Sequence, residues 1–132
     1  MSSVDRKCDR LKQMELALAR LEDLTAELAA RVDVELDEHR AEVAPIRRGI
    51  SEQQTKIFFL SDEVFEGPVL ETFRMFYLRM RIATENHQSS WPAVSIDVQC
   101  DEYQASSRRL REANREFLEW SRAALSHFGS RA

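Results

Sequence analysis

The feature that most constrains this chain is an apolar repeat near its start. Leu11, Met14, Leu18, Leu21, Leu24, Leu28, Val32 and Leu36 recur every three or four residues. At about 100° per residue such positions stay on one stripe of an α-helix, whereas a half-buried strand needs strict alternation. Two heptad seams can be traced, Leu11–Leu18–Thr25–Val32 and Met14–Leu21–Leu28, which is a coiled-coil-like pattern. The spacing predicts a helix over residues 5–43. At 1.5 Å per residue it would be about 60 Å long. A compact domain of this chain length has a radius of gyration of only about 14 Å. Such a helix must break near its middle, belong to an elongated molecule, or be covered by a second chain.

Composition agrees with long helices. Only 3 Gly and 3 Pro occur in 132 residues, where average usage gives about nine and about six. That scarcity disfavours a many-turned β fold and a glycine-lined phosphate loop. The charged fraction of 32% suits helices with one wetted face. The net charge is −4, and the cations are mostly Arg, with Lys only at positions 7, 12 and 56. This Arg excess fits GC-rich coding in a bacterium or its phage. Cys8 and Cys100 form no disulfide framework and read as reduced thiols. The first twelve residues lack the apolar core of a signal peptide, and no run approaches the roughly 20 apolar residues of a membrane span. A soluble, cytoplasmic, single helical domain over residues 1–132 is expected.

Pro45 predicts a stop or kink, with a second helix over residues 45–60. Ser61-Asp62-Glu63 reads as a cap or a frayed end, and Gly67-Pro68 is the strongest punctuation in the chain. The third helix, residues 68–85, is apolar on two sides: Phe73, Phe76, Met80 and Ala83 line one, and Met75, Leu78 and Ile82 another. It is expected to be the central, most buried element. Residues 86–92 read as a loop. Val94, Ile96 and Val98 alternate as in a strand, but helix is favoured because only residues 56–60 could pair with them. The last helix, residues 95–128, has Tyr103, Leu110, Ala113, Phe117, Trp120, Ala124, Leu125 and Phe128 on one face, with Gly129 as its stop. The expected fold is all-α: an elongated bundle of three or four helices, with the long N-terminal coiled-coil-like helix packed antiparallel to the C-terminal one.

Four groups of residues could carry a function. Arg108, Arg111, Arg115 and Arg122 share a face that could follow a phosphate backbone. However, Glu112 and Glu119 stand at helical pairing distance from Arg108 and Arg115, and no aromatic side chain interleaves for base stacking. The acidic run Asp33, Glu35, Asp37, Glu38, His39, Glu42 lacks the Glu-x-x-His spacing of helical di-iron sites, so no metal or cofactor is assigned. No nucleophile–base motif is readable, so no catalytic residue is assigned. Phe58, Phe59, Phe65, Trp91 and Arg79, with the seam residues Leu11, Leu18, Leu21 and Leu28, are candidates for contact with a protein partner. The expected function is therefore a non-enzymatic protein–protein interaction module of adaptor, chaperone or inhibitor type, self-associating as a homodimer. A regulatory nucleic-acid binder using the last helix and a helical-bundle enzyme or metal protein are the alternatives.

Overall fold

The computed structural model describes the backbone of residues 3–129 and the side chains of residues 4–127. It contains α1 (Ser3–Asp33), α2 (Leu36–Val64), α3 (Gly67–Ser90), a short 3-10 turn (Ala93–Ser95) and α4 (Asp101–Gly129). The side chain of Phe128, expected on the apolar face of α4, lies outside the described residues.

The first helix does not reach Val43. It ends at Asp33, and the chain reverses through Val34 and Glu35, the latter in the left-handed region at φ 52°. Electrostatics favours a break here. Arg31 closes the last turn of α1, where a cation is favoured, and Asp37 and Glu38 occupy the first turn of the next helix, where its dipole stabilises carboxylates. The repeat's excess length is therefore absorbed within the chain, because α2 folds back over α1. Pro45 ends nothing; it lies inside α2 on the exposed side, where solvent can serve the carbonyl that its missing N–H leaves unpaired.

Helix α2 also outruns its expected end. Ser61 is buried and its hydroxyl donates to the carbonyl of Phe58, and the chain leaves the helix only at Phe65, whose N–H reaches the Ser61 carbonyl. Gly67 takes φ 59° and Pro68 sits in the first turn of α3. Helix α3 continues to Ser90 through the expected loop, because Thr84 and His87 extend its buried stripe. Residues 94–98 form neither α-helix nor strand. After the 3-10 turn, the Asp97 carboxylate accepts from the Gln99 N–H, and α4 starts only at Asp101. The Arg40 guanidinium pins this connector by donating to the carbonyls of Ala93 and Ile96.

Every neighbouring pair of helices is antiparallel. Helices α1 and α2 are bridged by Arg31–Glu42 and Arg10–Glu63, and Gly49 lets them approach closely at Leu24. Asp33–Arg111 at 3.1 Å and Glu22–Arg122 at 2.6 Å set α1 against α4 in the expected antiparallel sense. Arg74–Asp62 links α3 to α2, and Phe73 meets Phe117 across α3 and α4. The result is an all-α, up-down-up-down bundle of four helices. At 31 residues α1 is about 46 Å long, so the bundle is elongated.

Met14, Leu18, Leu21, Ile57, Phe73 and Phe117 anchor the main core, and a smaller cluster of Val32, Leu36, Val43, Ile96 and Tyr103 seals the end at the connector. Helix α3 is not central. Each helix of such a bundle turns one stripe inward. For α3 that stripe is Phe73, Met80, Thr84 and His87, which leaves Met75, Leu78 and Ile82 outside.

Candidate functional site

Two places in the bundle carry side chains that folding alone does not explain. The first is the outer face of the α2–α3 pair. Phe58 projects from α2 toward Tyr77 of α3, with ring centroids 5.3 Å apart, and Phe59 packs edge-on against Phe58. Phe59 is 70% exposed and Leu78, one residue beyond Tyr77, is 57% exposed. Met75, Leu78 and Ile82 recur at helical spacing along the solvent side of α3. Polar groups flank this apolar strip: Arg74 is paired with Asp62, and Arg81 with both Glu85 and the buried Gln54. An apolar centre with a charged margin is the usual anatomy of a protein-contact surface.

The second is a cavity of about 310 Å³ in the bundle, with walls from all four helices. Aliphatic side chains such as Leu28, Ile50 and Leu118 share its wall with polar ones, Thr25, Thr84, Gln88, Ser107 and Asn114 among them, and Arg47 of α2, His87 of α3 and Tyr103 of α4 converge at one corner. The His87 and Tyr103 rings lie 5.3 Å apart, and the His87 Nδ1 pairs with the Ser106 hydroxyl at 2.7 Å. Burial, reinforced by the positive charges of Arg47 and Arg111, pushes the His87 imidazole down to about 4, so it is neutral near pH 7. Burial also pushes the Tyr103 phenol up and the Arg47 guanidinium down from their ordinary values.

The sequence-derived candidates separate cleanly. Leu18, Leu21 and Phe65 are core residues, the last only 1% exposed and packed against Phe73 and Trp120. Leu11 and Leu28 pack half-buried against the same core. These five were expected to serve a partner; they are instead covered from within the chain, Phe65 by Phe73 and Trp120 and the seam leucines by the core that forms when α2 folds back over α1. Trp91 is half-buried, edge-on to Tyr103, and belongs to the cluster under the connector. Arg79 is exposed and lies over the Phe76 ring at 5.9 Å. Among the apolar candidates, Phe58 and Phe59 alone keep the surface exposure that the sequence reading required.

Of the α4 arginines, Arg111, Arg115 and Arg122 are engaged with Asp33, Glu119 and Glu22. Glu35, Glu38 and His39 bring ligand-type atoms within 4.8 Å of one another, but His39 is already bonded to Glu42 and the turn is open to solvent. Cys8 and Cys100 are free and belong to opposite ends of the bundle. No described helix is long and apolar enough to cross a membrane.

Sequence reasoning missed Arg47 and His87. Arg47 had a signal: it lies in α2's apolar stripe between Ile46 and Ile50. His87 had none, because its inward placement depends on α3 running past Glu85. Comparison with known protein families, curated proteins and solved structures gives no match.

Proposed function

We propose that this chain is a non-enzymatic helical interaction module that docks protein through the outer α2–α3 face, and that a second copy is an occupant of that face. The observation that carries the reading is the exposed set Phe58, Phe59, Met75, Leu78 and Ile82 on one side of two adjacent helices. Burying a Phe or Leu side chain contributes about 1.5–3 kcal/mol; here several such side chains stay in water. Aromatic anchors inside a polar rim are the residues that dominate interface energetics. A twofold arrangement would set the strip against its own copy, the commonest form of self-association.

The test is sedimentation velocity on the unmodified chain and on Phe59→Glu and Leu78→Glu. These sites are exposed, so the substitutions leave helicity intact. A dimer that both variants convert to monomer supports the reading. A dimer indifferent to both places the contact elsewhere and removes the α2–α3 face from consideration.

A further inference from the structure

Arg47 is 9% exposed and no carboxylate among the described residues lies within 4 Å of its guanidinium. Its hydrogen bond within the protein runs from Nη1 to the Trp91 carbonyl at 2.7 Å. That carbonyl belongs to the C-terminal cap of α3, so the helix dipole offsets part of the charge. The remaining donors are not consumed. A buried cation is strongly unfavourable unless it is paired, and this one lines a cavity. Its neighbours supply no negative charge: His87 is neutral, and the Tyr103 phenol stays protonated. Arg111, which also lines the cavity, adds positive potential, though Asp33 compensates it.

Much of the remaining wall is apolar, although Thr25, Thr84, Gln88, Ser107 and Asn114 also line it. Leu28, Val32, Ile50, Leu110 and Leu118 present an aliphatic surface from three helices. The α1–α4 seam gives a mouth, since Glu22 and Arg111 belong both to the cavity wall and to the two ion pairs that join these helices. A shallow groove outside shares Thr25, Asn114 and Leu118 with the cavity. At the roughly 30 Å³ that a water-sized group occupies in a liquid, about 310 Å³ holds about ten non-hydrogen atoms.

We propose that this cavity is a binding site for a small anionic amphiphile, a medium-chain carboxylate whose head pairs with Arg47 and whose hydrocarbon lies along Leu28, Ile50, Leu110 and Leu118. The ligand supplies the counter-charge that the fold leaves out and fills space that the helices do not. This site is separate from the α2–α3 face and does not rest on the proposal made for it.

Octanoate, with about ten non-hydrogen atoms, is the probe, and 1-octanol and octylammonium are its neutral and cationic counterparts. Titration calorimetry on the full chain should give one octanoate per chain, binding at least tenfold tighter than 1-octanol, with no octylammonium binding. Arg47→Met should reduce octanoate to the level of the alcohol and leave the alcohol unchanged. Ala29→Phe, which places a ring in the cavity, should abolish both. On the unmodified chain, octanoate should shift the NMR signals of Thr84, His87 and Leu110. That measurement decides the matter if a variant fails to fold. Equal binding of all three probes, octanoate binding that survives Arg47→Met, shifts confined to the outer α2–α3 face, or no octanoate binding would each overturn the proposal.

Discussion

Burying His87 between Tyr103 and the cavity, with Arg47 and Arg111 nearby, makes protonation of its imidazole unfavourable in the folded chain. The unfolded chain takes up that proton near pH 6.5, the folded chain only near 4. Between these values the unfolded state holds more protons, so stability falls as pH drops through this window and is recovered as pH rises. The full effect is at most about 3 kcal/mol. Urea unfolding at a series of pH values should show this slope, and His87→Gln should flatten it relative to the unmodified chain. Parallel pH profiles for the two would show that His87 is not held neutral. Two phenylalanines give the complementary contrast. Phe73 is fully buried among Phe65, Tyr77 and Phe117, so Phe73→Ala should cost about 3–5 kcal/mol. Phe59→Ala should stay within about 0.5 kcal/mol in the monomer. The sequence reading placed Phe73 on the helix expected to be most buried and Phe59 among the contact candidates, but periodicity alone could not fix how exposed each would be. Their difference is decided by which helix lies across from each, which is tertiary information. Arg47 was legible in principle, as a cation inside an apolar stripe; its lack of a carboxylate partner was not.

The elements were legible as helices because the apolar period persists over long windows with few Gly or Pro to interrupt it. Their boundaries were less so, and the misplacements have physical reasons. Pro45 was read as a break, yet a proline on the wetted side of a helix leaves only one carbonyl to solvent, and packing of Val43, Ile46 and Ile50 on either side carries the helix through. Pro45→Ala should therefore raise stability by about 1–3 kcal/mol, restoring an N–H without disturbing a buried contact. The real break, at Glu35, has no Gly to announce it. Glu35 sits at φ 52°, a conformation that costs an L-residue roughly 1 kcal/mol and glycine almost nothing. Glu35→Gly should stabilise the chain by up to about 1 kcal/mol, whereas Gly67→Ala, at φ 59°, should destabilise it by a similar amount. Chemical denaturation of the pair checks the sign at both turns, and a loss at Glu35→Gly would show that its side chain does something the backbone conformation does not explain. The connector at residues 91–100 was misread because its order comes from long-range hydrogen bonds of Arg40 and Arg47, which periodicity cannot report.

At the scale of the molecule, the antiparallel all-α bundle followed from the sequence, including the packing of α1 against α4. The placement of α3 did not. Its two apolar stripes were both visible, but which one faces inward depends on the other three helices, and the bundle turns Phe73 and Met80 in and Met75, Leu78 and Ile82 out. This outcome relocates the proposed contact surface. The long N-terminal stripe, whose length suggested a second chain beside the surplus aromatics, is satisfied within the chain; the outer α2–α3 strip takes its place. The most direct measurement is sedimentation velocity of the unmodified chain over a wide concentration range beside Phe59→Glu. The α2–α3 face as an interface predicts a concentration-dependent dimer that the substitution converts to a monomer of unchanged helicity. A monomer at every concentration, or a dimer that Phe59→Glu leaves intact, would contradict it.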